Sequence, residues 1–415
     1  MADGVPDGLD VHDRESQSAR HPLSAADGPN ARKSSGKETF NETNLCLWAE
    51  FGAGEGAATA GFPQSRWRRP CDTDVVTPTR DAVEPRARRA RLQPTAAQVG
   101  FNRLFKQLLS LQAAVVLVML VSLRPLGLTI DWASAVPALG LDVLLIGVWM
   151  HLWRTPGRPG EWFVAEIVAA FLLMLMASHI LAPAQYAAVA LKRPLIDPAL
   201  AQADASLGID VAALAAWTRV HPVFNTVMRA AYFSFLPQLA LLVPLTGFVA
   251  RDREAMWEAV FHFEICAVIT VLALALFPVA HAFQYLQFQP TLNESRLIQQ
   301  FNDIRSGAFK TIQFDNLEGL VSMPSFHFAG ALIVLRAVRR RPLLFWPALV
   351  LNVLLTASTV FTGAHYAVDL LGTIVMFGIS VWCWNGYAHA LLEEPRQVVP
   401  RPETALAASS EALPG

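Results

Sequence analysis

The chain has 415 residues, of which 53% are hydrophobic and only 16% charged, and its mean hydropathy is +0.35. Soluble globular domains carry about 25% charged residues, and here the apolar residues gather in runs close to the ~20 that span a bilayer, so composition excludes an ordinary soluble domain and points to a polytopic membrane protein. A formal net charge of −1 gives no reason to expect a nucleic-acid partner, and four cysteines without a CxxC spacing supply neither a disulfide framework nor a zinc or redox site.

In chain order, residues 1–98 are rich in Ala, Gly, Pro, Asp and Arg and show no sustained periodicity, which predicts a disordered tail. Its first 30 residues are polar and contain no apolar core of a cleavable signal peptide. Arg66, Arg68, Arg69, Arg80, Arg86, Arg88, Arg89 and Arg91 close the tail and read as a positive flank on the cytoplasmic side. Eight apolar segments follow, at 104–124, 136–153, 162–185, 223–250, 256–280, 325–338, 342–362 and 366–389. The sixth reaches only about 21 Å at 1.5 Å per residue, so it is expected to begin below the membrane surface, inside the protein. Arg154 and Arg158, Arg251 and Arg253, and Arg336 with Arg339, Arg340 and Arg341 follow the second, fourth and sixth segments. With alternating spans these arginines share the cytoplasmic side, which leaves 186–222, 281–324 and the turn at Gly363 on the outer side. Residues 393–415 read as a second disordered tail.

Two histidine motifs fall on that outer side. Pro324-Ser325-Phe326-His327 opens the sixth segment. Proline suits the first helical position, and the free N–H groups of a first turn attract anions. Ser325 adds a hydroxyl donor, and His327 is placed to protonate a departing oxygen. The second motif is His365-Tyr366-Ala367-Val368-Asp369. A spacing of four puts His365 and Asp369 on one helix face, where the carboxylate can hold one ring nitrogen and leave the other free to attack. The antiparallel hairpin between the motifs returns both histidines to one membrane face. A phosphoryl site also needs cations. Arg296, Arg305 and Lys310 in the preceding loop are candidates, with Arg305 preferred and Lys310 beside it, because the guanidinium fork suits phosphate. Asp142, Glu166, His179, His262 and Glu264 interrupt the apolar runs and are expected to pair with one another or line a cavity. Tyr232, Ser234 and Gln238 are expected either in helix packing or at a head-group cavity.

Ser325-Phe326-His327 and His365-Tyr366-Ala367-Val368-Asp369 resemble the second and third signatures of the type 2 phosphatidic acid phosphatases, relatives of the vanadium haloperoxidases. The stretch Glu318-Gly319-Leu320-Val321-Ser322-Met323-Pro324-Ser325-Phe326-His327, the pair His365-Tyr366, and Tyr232-Phe233-Ser234-Phe235-Leu236-Pro237-Gln238 are similar to the branch containing inositol phosphorylceramide synthases. The resemblance spans residues 220–390. It implies that His365 is the nucleophile and forms a phosphohistidine, that Asp369 orients it, and that His327 protonates the leaving group and then activates the acceptor. It also implies that Ser325 binds phosphate oxygens and that no cofactor or metal is needed. The phosphatases carry an arginine six residues before the third-signature histidine, where this chain has Thr359, and Lys192-Arg193-Pro194 has the residue types of their first signature without its spacing.

The fold expected is therefore all-α, a polytopic transmembrane helical bundle with a type 2 phosphatidic acid phosphatase-like core. Residues 99–215 supply additional helices and 216–392 the catalytic membrane domain, between the tails at 1–98 and 393–415. The function expected is phosphoryl or phospho-head-group transfer from a phospholipid, inositolphosphotransferase-like, at the outer face of the cell membrane. Two rivals stand beside it: a phosphatase acting on a lipid phosphate or polyprenyl diphosphate, and a non-catalytic transporter or scaffold. A vanadate-dependent haloperoxidase fits less well, since those relatives are mostly soluble. The partners expected are the bilayer and a phospholipid or lipid phosphate substrate, with no nucleic acid; no protein partner is indicated.

Overall fold

Inside a bilayer every backbone polar group must be satisfied within the protein, so apolar runs of this length fold as helices. The computed structural model of the chain describes residues 96–154, 161–287 and 292–388. The arginine cluster, the C-terminal tail, and the N-terminal tail up to residue 95 lie outside the described residues.

The first helix is α1 (Ala96–Leu123), followed by the short strand β1 (Thr129–Ile130), α2 (Trp132–Arg154) and α3 (Glu161–Ala190). The stretch 186–222, expected as an outer loop, instead carries two helices, α4 (Asp197–Ser206) and α5 (Val211–Val220), bent by 81° to one another. Local capping explains them: proline follows Asp197 at the start of α4, and the Asp210 side chain accepts from Ala213 N at 2.9 Å to open α5. Next come α6 (Pro222–Phe233) and α7 (Phe235–Pro244), which run on through a wider turn at Leu245–Val249, and α8 (Arg253–Leu276). The single turn α9 (Ala282–Tyr285), α10 (Leu292–Ser306) and β2 (Thr311–Ile312) lead to α11 (Phe326–Val338), α12 (Pro342–Phe361) and α13 (Asp369–Cys383), which ends in a wider turn at Trp384–Ala388.

Among the described residues six helical stretches are long and apolar enough to cross a membrane: α1 from Phe101, α2, α3, Pro222–Val249, α8 and α12. As the shortness of the sixth segment predicts, α11 has only 13 residues. The last segment starts at Asp369 rather than 366, because Tyr366 to Val368 form a turn.

Helices α3 and α8 form the centre, with more than half of each buried, against a third or less of the other spans. Phe101, Leu173, Leu242, Trp257 and Trp384 are among the core side chains they gather, and Phe101 meets Trp257 edge-on at 4.5 Å. The polar residues inside the spans are paired. Asp142 meets His179 at 3.0 Å, Glu166 takes two bonds from Arg253 at 2.5 and 2.7 Å, Gln112 donates to Glu264, and His262 Nδ1 lies 2.7 Å from Ser380 Oγ. Pairing removes most of the cost of holding such groups away from water.

The two ends of the bundle are tied differently. At one end Glu258 on α8 accepts from Arg336 Nε at 2.7 Å and Arg339 Nη1 at 2.6 Å, Arg340 reaches Glu254 at 3.0 Å, and Arg341 donates to the Ala250 carbonyl. At the other end β1 and β2 pair in parallel, Thr129 with Thr311 and Ile130 with Ile312, joining the loop after α1 to the loop before α11. Between the ends, α7 and α11 approach so closely at Gly330 that a β-carbon there would stand 2.4 Å from the Phe235 ring.

Glu258 is buried whereas its arginine partners are partly solvated. Glu258→Ala is expected to cost ~2–3 kcal/mol, below the full penalty of a broken buried pair because the guanidiniums keep some water. The thermal midpoint in detergent measures this, and an unchanged midpoint would show that the cluster does not hold α11 to α8.

Candidate active site

Ser325 is the N-cap of α11, its hydroxyl accepting from Phe328 N at 3.4 Å. Pro324 therefore precedes the cap and is not the first helical residue as expected. The backbone turn at the cap needs an extended residue, and the serine hydroxyl satisfies a donor that the new helix leaves open. His327 sits in the first turn, its ring stacked on Tyr232 at 4.2 Å and tilted against Phe235 at 4.4 Å.

His365 is not on a helix face with Asp369, as the spacing of four suggests. Helix α12 ends at Phe361, and Gly363, with φ at 81°, lets the chain reverse where a side chain would be strained. His365 then lies in the turn before α13, held by its N–H on the Thr359 carbonyl at 3.0 Å, and Asp369 is the first residue of that helix. The two side chains still meet, Nδ1 to Oδ2 at 3.4 Å, because Asp369 folds back over the turn. Its Oδ2 accepts from Tyr366 N at 3.0 Å and Ser322 Oγ at 3.2 Å. The His365 contact is longer than the ~2.9 Å of a closed N–H···O bond, as catalytic pairs often are before substrate binds. On its other side His365 Nε2 lies 3.3 Å from Ser325 Oγ, and the His327 ring centre is 6.0 Å away. Ser325, His327, His365 and Asp369 are thus brought together. Thr373 ties them, its hydroxyl lying within hydrogen-bonding distance of both the Asp369 carbonyl (3.0 Å) and the Ser325 carbonyl (3.2 Å).

The two cations singled out in the sequence are not brought to this group. Arg305 donates to the Arg193 carbonyl at 3.0 Å, and Lys310 gives its carbonyl to Thr129 N in the strand pairing. The helical period supplies the reason: Arg305 is nine residues from Arg296 on α10, two and a half turns, and so on the opposite face. Arg296 lines a cavity of about 540 Å³ beside the site, as does Arg229 of α6. His327, Tyr232, Phe235 and Phe263 share its wall, and Arg296 is paired there with Glu318 at 3.2 Å. His365 itself is 2% exposed, and its neighbours Thr362 and Ala364 form that part of the wall. Of the residues left between packing and cavity, Tyr232 faces the cavity. Gln238 packs, bonded to Ser234 and Asn352.

Several residues of the site carry no motif. Asp204 on α4 accepts from Ala367 N and Val368 N, both at 2.9 Å, so one carboxylate takes the open donors of the turn holding His365. Asp197 accepts from the Tyr366 hydroxyl at 3.0 Å and from Ala280 N at 2.9 Å. Burial pushes the Asp197 carboxyl up, and the bonds from Ala280 and Tyr366 oppose that shift. Burial first, and then the neighbouring Asp197 charge, raise the Tyr366 phenol. A spacing of seven, two turns on one helix face, is the only trace of this pair in the sequence. Nothing in the sequence marks the bond from Ser322 to Asp369. Among the described residues no group of three or more His, Cys, Asp or Glu side chains is placed to hold a metal ion.

The fold and these residues define a polytopic helical membrane protein with a histidine–aspartate pair and a second histidine beside a half-enclosed cavity. Residues 198–383 match the family model described as PAP2 superfamily, so this part of the chain is a PAP2 superfamily domain, and the match supports an activity of the lipid phosphatase or phosphotransferase type. It takes in Asp204, both histidine motifs and Asp369. No curated protein and no solved structure matches the chain.

Asp204→Ala leaves two buried N–H groups without an acceptor, at about 1–3 kcal/mol for each unsatisfied group. The variant is expected to melt earlier and, in a turnover assay, to lose more in kcat than in KM, since the turn that aims His365 loosens. A normal kcat would remove Asp204 from the positioning of the site.

Proposed function

We propose that the protein moves a phosphoryl or phospho-head-group from a membrane lipid to an alcohol through a phosphohistidine on His365, in the manner of an inositolphosphotransferase. The observation that carries this reading is the relay Ser325 Oγ, His365 Nε2, His365 Nδ1, Asp369 Oδ2, with contacts of 3.3 and 3.4 Å, beside His327 on the cavity wall. Asp369 keeps the proton on Nδ1, so Nε2 carries the free lone pair. Nε2 attacks phosphorus, the bond to the lipid oxygen breaks, and His327 gives that oxygen a proton. In the second half the acceptor hydroxyl returns its proton to His327 and attacks phosphorus, and the P–N bond to His365 breaks. Ser325 changes partners during this cycle, from Nε2 to a phosphoryl oxygen.

Transfer rather than hydrolysis is favoured by the cavity. Its volume is that of a small-molecule site and its wall is largely aromatic and aliphatic, which holds a head group and keeps water scarce around the intermediate. Arg229 and Arg296 line the same cavity and supply the charge that the phosphoryl oxygens need. The distribution of arginines supports a site on the non-cytoplasmic side of the cell membrane.

The deciding experiment uses detergent-purified protein, head-group-labelled phospholipids and lipid phosphates, with and without inositol or long-chain alcohols. A new labelled lipid formed only with an acceptor supports transfer, and release of phosphate or phospho-head-group without acceptor means a lipid phosphatase. His365→Ala is expected to abolish both turnover and the acid-labile phosphoenzyme while the protein stays in the membrane; full activity in that variant would sink the assignment. Arg229→Ala is expected to lower kcat/KM about tenfold to a hundredfold, toward the scale of a lost transition-state donor, whereas Arg305→Ala changes it less than threefold. The reverse order would return the phosphate to the face of α10 that carries Arg305.

A further inference from the structure

One buried histidine near the site has no part in the steps above. His281 follows α8 and is 4% exposed, yet it lines the same cavity as His327. Its Nδ1 has no hydrogen-bond partner. A buried imidazole nitrogen without a partner is costly, and in a native protein it calls for a water, an ion or a ligand to complete it. Burial, and then the nearby His365 ring, push the imidazole down to about 3, against opposing bonds to the Ala280 and Val321 backbones, so at neutral pH it is uncharged and carries one N–H.

Its backbone is as informative as its side chain. His281 has φ 71° and ψ 146°, close to a region that only glycine enters freely. Sterics therefore favour glycine at this position, and an imidazole stands there instead. The conformation is enforced from both sides. Ala280 N donates to Asp197, which also holds the Tyr366 hydroxyl, and Phe283 N donates to the Gly363 carbonyl at 3.0 Å. Segment 280–283 is thus clamped to the turn that presents His365, and the His281 ring rests on Phe283 with centres 5.2 Å apart.

We infer that His281 is a phosphate-binding residue of the site, its free ring nitrogen donating to a non-bridging oxygen of the phosphoryl group held between His365 and His327. The inference rests on the phosphoryl-transfer reading and gives the site a neutral donor. It predicts a ligand that is a tetrahedral or trigonal-bipyramidal oxyanion and a role that needs hydrogen bonding but no titration.

The test is binding of orthovanadate to the detergent-purified full chain, followed by calorimetry. His281→Phe keeps a ring on Phe283 and removes both nitrogens, and His281→Asn keeps an N–H near the position of Nδ1. The phenylalanine variant is expected to bind about tenfold to a hundredfold more weakly, the range for a hydrogen bond to a charged group, with the asparagine variant recovering most of the loss. Melting curves identify any variant that fails to fold, and the asparagine variant then carries the comparison, with near-wild-type binding expected. Equal binding by the wild type and a folded His281→Phe variant would overturn the role of His281 alone. So would loss in both variants, because the donor would then not be what matters. Absence of vanadate binding in the wild type would overturn the phosphoryl-transfer reading, and the role of His281 with it.

Discussion

The turn that presents His365 is held by carboxylates from two distant parts of the chain, and the rest of the site depends on that. Asp204 takes the N–H groups of Ala367 and Val368, Asp369 takes that of Tyr366, and Asp197 takes the Tyr366 hydroxyl. Three carboxylates around one short turn would repel in isolation. Each is tolerable because backbone donors and hydroxyls surround it, and hydrogen bonds to a charged acceptor are about twice as strong as neutral ones. The result is a rigid support for the His365 imidazole, which a free loop would not provide.

The same requirement, that polar groups far from water be partnered, shapes the whole bundle. Glu166, Glu258, Glu264 and Asp142 all meet a donor inside it. The cluster of Glu258 with Arg336 and Arg339 anchors the far end of α11, while Ser325 and His327 occupy its near end. A helix of 13 residues pinned at one end carries its first turn to a definite depth. Gly330 then allows Phe235 to pack against α11, and Phe235 in turn contacts the His327 ring. Packing of the scaffold and orientation of the His327 ring are therefore one system.

The cavity joins ionic side chains to an apolar wall. Arg229, Arg296 and Glu318 are among its charged lining residues, while Tyr232, Phe235, Phe263 and Phe283 give it a largely aromatic surface. Aromatic walls lower the local dielectric, which strengthens each charge interaction or hydrogen bond made inside the cavity.

By itself the sequence determined the class of fold and the chemistry-bearing motifs. Run length and apolarity oblige helices in a bilayer, the short segment at 325–338 announces a helix that starts inside the protein, and the two histidine motifs flank one hairpin, so their return to one end follows from counting spans. Local spacing was a weaker guide. Four residues between His365 and Asp369 suggest a shared helix face, yet the chain reverses at Gly363 and the pair meets across a turn. Arg305 was attractive by residue type alone, but the helical period of α10 turns it toward Arg193 and brings Arg296 to the cavity. Asp197, Asp204, Ser322 and His281 were decided only by tertiary structure. Asp197, Asp204 and Ser322 each meet a partner tens to more than a hundred residues away, and no periodicity or spacing along a chain records which distant group a polar side chain will meet once the helices pack.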